Sequence, residues 1–270
     1  TLSLGGSGGS GGDSGTVTLR NTGDVLTFGT SSIPVYLQSV GGGGGDVQAG
    51  FGDATLGSKG ATGRSGKTLL INTGTLQSNS EFSPAILHQV IGGGGGSADS
   101  ANGTISIGSQ NAAGIQSAQA MTLRNEGSLI TLARYSPAIF AQSIGGGGGR
   151  IAQTSGGSVT IGSIDAASSA DLTGGDISIT STGARLTTKG DYSQALSAQS
   201  IGGGGGWVGP IEKNLILGAQ KSSAPMDGGS ITVNNRSVIT TSGITSPAIT
   251  LQSIGGGGGY TGQVQGSAQF

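Results

Sequence analysis

The side chains that most often carry chemistry are few in this chain, and they do not form sets. There is one histidine, His88, and there is no cysteine. A serine–histidine–carboxylate triad needs a histidine held beside both of its partners, and the segment SPAILHQVI around His88 offers no such set. A lone histidine in a strand-like segment is more often incidental than catalytic. The sequence therefore predicts no catalytic residue and no thiolate metal site.

Carboxylates are also sparse, and the one polar segment with three aspartates is not matched by the other repeats. Asp165, Asp171 and Asp176 share one polar segment, where paired acids of the kind used in glycoside hydrolysis would have to lie. The stretch GGSGGSGGDSG (5–15) resembles a calcium-binding glycine–aspartate repeat, but such sites need aspartate in consecutive turns and here Asp13 is alone. We expect no metal and no cofactor.

Composition argues against several classes of protein. The net charge is −1, whereas a nucleic-acid binder needs a basic face to displace counterions. No apolar run approaches the roughly 20 residues of a membrane-spanning helix. The glycine runs are not phosphate-binding loops, because no GK[ST] follows any of them. We therefore expect no nucleic-acid partner and no membrane insertion of this segment.

The main signal is an internal repeat, because the chain contains five runs of five glycines. Their steps are 51, 53, 57 and 53 residues, and nearly all the slack lies in one polar stretch of each repeat. Solenoids tolerate change in this way, since coils must stack while loops at one corner vary. We divide the chain into one array of five repeats, approximately 1–53, 54–104, 105–158, 159–214 and 215–270. The runs begin at Gly41, Gly92, Gly145, Gly202 and Gly255.

Two columns of amides keep their distance from the glycines. Amides stacked at one position in successive coils hydrogen-bond along the stack, so we predict two side-chain ladders. The alternative is a set of surface amides repeated by duplication. The first column is Gln38, Gln89, Gln142, Gln199 and Gln252, and the second is Asn21, Asn72, Asn125 and Asn235, with Ser181 in the fourth repeat.

Segments such as VTLRN, ISIT and ITVN alternate with period two and are rich in β-branched residues, which predicts strands. The fold class is therefore all-β, a repeat β-solenoid or β-helix. A repeat of about 53 residues could make two narrow turns or one wide coil. We favour the wide coil, because it keeps the amide ladders continuous.

The penta-glycines follow a strand with small or apolar residues on both faces, which indicates double burial. Without side chains, such segments let backbones approach closely. We predict ordered glycine segments in an extended, polyproline-II-like geometry, of which a polyglycine-II-like packed layer is one form. The alternative is a flexible linker, but a linker has no reason to keep five glycines in every copy.

The repeated phrase (S/N)xAIxAQSIGGGGG after VTxxNxGxIxTxG resembles the passenger regions of giant autotransporter adhesins of Gram-negative bacteria. The match is closest at 136–149, 193–206 and 246–259, with 177–190 and 231–243 as the upstream half. The resemblance implies a β-helical stalk on the outside of the cell, exported through an outer-membrane barrel that these residues do not include.

We therefore expect a non-enzymatic, extracellular structural and adhesive protein at the bacterial surface that mediates attachment or biofilm formation. Its expected partners are copies of itself, end to end or side by side, and host or abiotic surfaces. Neither end carries a polar cap, so we expect a window on a longer array or the unit of a filament. The alternatives are an ice-binding solenoid and a β-helical polysaccharide-cleaving enzyme.

Overall fold

The computed structural model describes residues 2–4, 11–47, 52–57, 59–60, 63–99, 102–111 and 113–270. Residues 5–10 of the stretch that resembles a calcium-binding repeat lie outside the described residues. Within these ranges the chain is all-β, without a helix, and its strands pair in parallel sheets. The fold is therefore β-solenoid-like.

Each repeat contributes four or five short strands. The first gives β1 (Leu2–Leu4), β2 (Val17–Asn21), β3 (Val25–Thr27), β4 (Val35–Val40) and β5 (Gly44–Val47). The second gives β6 (Ala54–Leu56), β7 (Thr68–Asn72), β8 (Leu76–Ser78), β9 (Ile86–Ile91) and β10 (Gly95–Ala98). The third gives β11 (Ile105–Ile107), β12 (Met121–Asn125), β13 (Leu129–Thr131), β14 (Ile139–Ile144) and β15 (Gly148–Ile151). The fourth gives β16 (Val159–Ile161), β17 (Ile177–Thr188), β18 (Leu196–Ile201) and β19 (Gly205–Val208). The fifth gives β20 (Leu215–Leu217), β21 (Ile231–Thr241), β22 (Ile249–Ile254) and β23 (Gly258–Thr261), and β24 (Ala268–Gln269) follows.

These strands form four parallel sheets that run along the stack. The anchor sheet is β1, β6, β11, β16, β20 and β24. The outer sheet is β2, β3, β7, β8, β12, β13, β17 and β21. The glutamine sheet is β4, β9, β14, β18 and β22, and the glycine sheet is β5, β10, β15, β19 and β23. Among the described residues every strand pairs with its counterpart in the next repeat, so one repeat makes one wide coil.

Burial explains why the strands differ in composition. Outer-sheet strands such as β7 alternate between buried and half-buried residues, as strands with one solvated face do. In contrast, every residue of β9, β14 and β18 is buried. The prediction that the strand before the glycines is buried on both faces is therefore confirmed in the three middle coils.

The described part of the coil contains four apolar clusters, of which two are large. One lies between the outer and glutamine sheets, where Leu70, Leu123 and Ile139 are fully buried. The other joins the glycine sheet to the anchor sheet through residues such as Ile107 and Ile151. The glutamine and glycine sheets thus form the inner layers of the coil.

The stretch that varies in length was expected to be a polar loop at one corner. Its second half instead lies inside, where Ser65 is 2% exposed and Gln116 and Leu172 are 0% exposed. The reason is that this half returns along the penta-glycines, which have no side chains to keep it away.

Candidate functional site

The glutamine column lies on the buried glutamine sheet and is joined by hydrogen bonds along the stack. Each amide nitrogen Nε2 donates to the Oε1 of the glutamine in the next coil. The distances are 3.1 Å from Gln38 to Gln89, 2.8 Å from Gln89 to Gln142, 2.9 Å from Gln142 to Gln199 and 2.7 Å from Gln199 to Gln252. All four bonds point the same way, so the amide dipoles add along the stack.

The asparagine column makes a shorter chain. Asn21 Nδ2 donates to Asn72 Oδ1 at 2.7 Å, and Asn72 Nδ2 donates to Asn125 Oδ1 at 2.8 Å. In the fourth coil Ser181 holds this position, and its hydroxyl pairs with Ser237 Oγ at 2.8 Å. Asn235 donates to the Ser237 carbonyl in its own turn at 3.1 Å. The structure thus brings three of the four predicted asparagines together.

Three of the four aspartates singled out in the sequence accept hydrogen bonds from backbone amides. The Asp13 carboxylate accepts from Arg64 N at 2.8 Å, and that of Asp176 accepts from Ser230 N at 2.8 Å, each in the next coil. Asp171 accepts from Thr173 N at 3.1 Å, and Asp165 is an exposed turn residue with φ 54°. In the described part of the chain no three histidine, cysteine or acidic residues are grouped as metal ligands.

The penta-glycine backbone has positive φ at four of its five positions. Across the five coils, φ is 80–83° at the second glycine, 86–100° at the third, 132–153° at the fourth and 144–150° at the fifth. The expected polyproline-II-like backbone has φ near −75°, so the observed geometry differs in the sign of φ. Positive φ is readily adopted by glycine and costs other residues energy.

The donors of the glycine segments bond to the neighbouring coil and to the returning corner stretch. In the third coil, Gly145 N donates to Ile201 O at 2.9 Å, and Gly148 N donates to Gly94 O at 3.3 Å. Gly146 N donates to Gln116 O at 3.1 Å. The glycines therefore contribute to the backbone hydrogen bonding of the stack.

A Cβ atom at most of these glycines would collide with backbone. At the first glycine of coils one to four it would lie 2.1–2.3 Å from a carbonyl oxygen of the corner stretch. These glycines are Gly41, Gly92, Gly145 and Gly202, and the Cβ of the terminal Gly255 would lie 3.1 Å from the Met226 carbonyl oxygen. Since real Cβ contacts essentially never fall below 3.0 Å, a side chain at the first four positions requires the backbone to move.

A column of stacked aromatic rings was not predicted. Phe82, Tyr135 and Tyr192 occupy one turn position in successive coils, with ring centroids 5.2 and 4.9 Å apart and interplanar angles of 7°. Ser31 and Thr245 hold the same position in the first and last coils, and all five residues have φ between 52° and 57°. Because the column contains several residue types, a comparison of identical residues between repeats does not reveal it.

The residues after the penta-glycines pack beside these rings. Trp207 and Tyr260 each follow a penta-glycine directly, and their rings stack with a centroid distance of 6.4 Å. The Trp207 ring also meets Phe140 and Tyr135 edge to face, at 5.9 and 6.4 Å. Arg150, one coil earlier, places its guanidinium 5.5 Å from the Trp207 centroid. These contacts form a continuous column of packed side chains along the array.

The arginines Arg20, Arg124 and Arg134 are exposed. Arg20 and Arg124 lie on the outer sheet. Arg134 is exposed as well, but its guanidinium lies over the rings of Tyr135 and Tyr192, at 5.4 and 5.9 Å. Such contacts contribute about 0.5–1 kcal/mol at exposed sites.

His88 is buried between the glutamine and outer sheets. Its Nε2 is 2.7 Å from Thr68 Oγ1, and its Nδ1 has no hydrogen-bond partner among the described residues. Burial lowers the pKa of His88 from 6.5 to about 3. His88 is therefore neutral at pH 7 in the folded chain.

The buried pair of His88 and Thr68 predicts that the folded chain loses stability in acid, and that replacing both residues reduces this loss. The unfolded chain binds the His88 proton near pH 6.5, whereas the folded chain resists it down to about pH 3. Stability is thus lost as pH falls from 6.5 towards 3, by about 3 kcal/mol at pH 4 from this group. We expect the double variant His88→Leu/Thr68→Val, which copies Leu37 and Val17 of the first coil, to lose less stability between pH 7 and pH 4 in urea unfolding. An unchanged pH dependence would contradict the buried neutral histidine.

No protein-family model, curated protein or solved structure matches this chain. No helix in the described residues is long and apolar enough to cross a membrane.

Proposed function

We propose that this chain is a non-enzymatic structural and adhesive segment, a β-solenoid stalk or fibre at the bacterial cell surface. The observation that carries the proposal is the coil-to-coil continuity of the array. Parallel strands and the glutamine ladder repeat the same bonds from one coil to the next. Such an array can be lengthened by adding coils while its internal contacts stay the same.

The penta-glycines form, in this proposal, a packed inner layer that stiffens each coil. Close backbone approach at the glycines and donors shared between coils support it. Each coil then holds its neighbours by backbone and side-chain bonds on several sides. An array of this kind resists bending, which suits a stalk.

The surface location and the export route are inferred from the resemblance to autotransporter passenger regions. Low charge supports an adhesive role, because copies with a net charge of −1 repel one another weakly. At about 4.8 Å per coil, five coils span only about 24 Å. A stalk would need further coils or stacked copies, so self-association and contact with host or abiotic surfaces are the proposed partners.

A retention assay tests this function. Beads carrying the purified chain are placed on glass and polystyrene under flow, beside beads carrying the same chain unfolded by heat and chemically blocked from refolding. We expect several-fold greater retention or clustering of the folded chain. Equal retention of both samples would refute an adhesive role. Electron microscopy of the free protein distinguishes a fibre of stacked copies from a stalk formed by one chain. Filaments with a repeat of about 24 Å would indicate stacking of copies.

The two alternatives have less support. An ice-binding face needs threonine in regular ranks, but the aligned outer-sheet column reads Thr18, Leu69, Thr122, Ser178 and Thr232. Thermal hysteresis in dilute solution would support an ice-binding function. A polysaccharide-cleaving site would need acids drawn together from neighbouring coils, and activity lost on replacing Asp165, Asp171 and Asp176 together would support it.

A further inference from the structure

A small groove lies at the corner between the glycine sheet and the anchor sheet, in coils three to five. Thr154, Ile211 and Val264 share one position there, because parallel bridges pair them from coil to coil. Ile211 is 2% exposed and belongs to the apolar cluster between the two sheets, and Val264 packs against that cluster. Neighbouring side chains of an extended chain point to opposite faces. The residues before and after this row therefore face outwards.

Two outward columns of side chains line the groove, which has a volume of about 250 Å³. The first column is Gln153, Pro210 and Gln263, and the second is Ser155, Glu212 and Gln265. Pro210 interrupts the first column, since both of its neighbours are glutamines. Proline is shorter than glutamine, so the column has a gap at the fourth coil.

The two glutamines on either side of this gap are placed to bond to one ligand. They lie two coils apart, which is about 9.6 Å along the stack. Each amide offers a carbonyl acceptor and an NH₂ donor. Among the described residues, neither Gln153 nor Gln263 makes a side-chain hydrogen bond. Both amides are therefore available to a ligand that fills the gap above Pro210.

The chemistry of the lining favours a neutral ligand with several hydroxyls. A hydroxyl both donates and accepts, so adjacent hydroxyls pair with an amide in both directions. The Glu212 carboxylate accepts from a further hydroxyl, and the Pro210 ring offers an apolar surface to C–H groups. The lining includes no cationic side chain, which argues against an anionic ligand. The groove is smaller than the cavities of about 300–1,000 Å³ that hold drug-sized compounds, so it suits a single ring.

We propose that this groove binds a pyranose ring of a saccharide. The ring lies on Pro210, and its hydroxyls bond to Gln153 and Gln263 on either side. The proposal deepens the proposed adhesive role, because it names a saccharide as a contact of the stalk. It depends only on side chains of coils three to five. Retention on glass and polystyrene involves no sugar, so either result can fail without the other.

A titration followed by nuclear magnetic resonance tests the proposal with the methyl pyranosides of glucose, galactose and mannose. The fully O-methylated form of each sugar is the control, because it keeps the ring and lacks hydroxyl donors. We expect millimolar binding of at least one glycoside and little binding of its O-methylated form. A disaccharide of the same sugar that binds at least as tightly would indicate a polysaccharide as the source, and weaker binding would indicate a free sugar.

Two variants of the groove and one control complete the test. Pro210→Gln gives the fourth coil the residue that coils three and five carry in this column, and it fills the gap. We expect it to weaken binding at least fivefold, as should the double variant Gln153→Leu/Gln263→Leu, which remains informative if Pro210→Gln folds poorly. Gln77→Leu, at a half-buried position of the outer sheet, should bind as the original chain does. No binding of any glycoside, equal binding of the O-methylated form, or unchanged binding in both groove variants would overturn the proposal.

Discussion

Replacing Gly147 by valine is expected to lower the free energy of unfolding by at least about 2–4 kcal/mol. A Cβ atom there would lie 2.6 Å from Gly94 O, 2.7 Å from Gly108 Cα and 2.8 Å from Ser109 N. Its φ of 86° adds strain of about 1–2 kcal/mol for a residue with a side chain. Overpacking against immobile backbone adds at least as much. Urea unfolding measures the change, and a flexible linker would leave the midpoint where it is.

A matched pair of alanine variants separates packing from backbone strain. Gly45 and Gly149 are both fifth glycines with φ near 150°. A Cβ at Gly45 would meet nothing within 4 Å, whereas at Gly149 it would lie 1.7 Å from Gly96 O. We therefore expect Gly149→Ala to cost at least about 2 kcal/mol more than Gly45→Ala, in the range of overpacked cores. Equal costs would mean that the glycines are needed for φ alone.

Breaking the glutamine ladder at its centre is the second large effect that we expect. Gln142→Leu removes the acceptor of Gln89 and the donor to Gln199, both of which are fully buried. A buried polar group left without its partner costs about 1–3 kcal/mol, so the loss should be about 2–4 kcal/mol. Urea unfolding of the purified variant measures it.

The control for this prediction is the last glutamine of the same ladder. Gln252 has one ladder bond, from Gln199, and is only half-buried. We expect Gln252→Leu to lose less than half as much stability as Gln142→Leu. If both substitutions had the same small effect, the glutamines would be surface amides repeated by duplication.

Repetition made part of this architecture predictable. The glutamine column could be aligned because one residue type recurs at one distance from the glycines, and strand alternation indicated the all-β fold. Parallel pairing puts equivalent residues side by side, so a column of identical residues predicts its own contacts. The same argument fails where a column changes type, as at Ser181, which ends the chain of asparagine bonds.

Contacts between unlike residues could not be predicted in this way. Arg150 meets Asp99 and the Phe82 carbonyl across coils, and nothing in the spacing of these three residues indicates it. The pairing of His88 with Thr68 likewise depends on two sheets facing each other. The sign of φ in the glycine segments also lies beyond sequence reasoning, since glycine adopts both signs about equally.

Hydrogen exchange at the penta-glycines tests the central claim, which is an ordered glycine layer inside the solenoid. Mass spectrometry of a peptide that spans Gly145–Gly149 reports these amides, and the peptide that covers Ile139–Ile144 provides the buried-strand reference. The packed layer predicts protection close to that of the strand, because the Gly145, Gly146 and Gly148 amides donate to neighbouring backbone. Exchange at the rate of an unstructured chain, beside a protected strand, would contradict it.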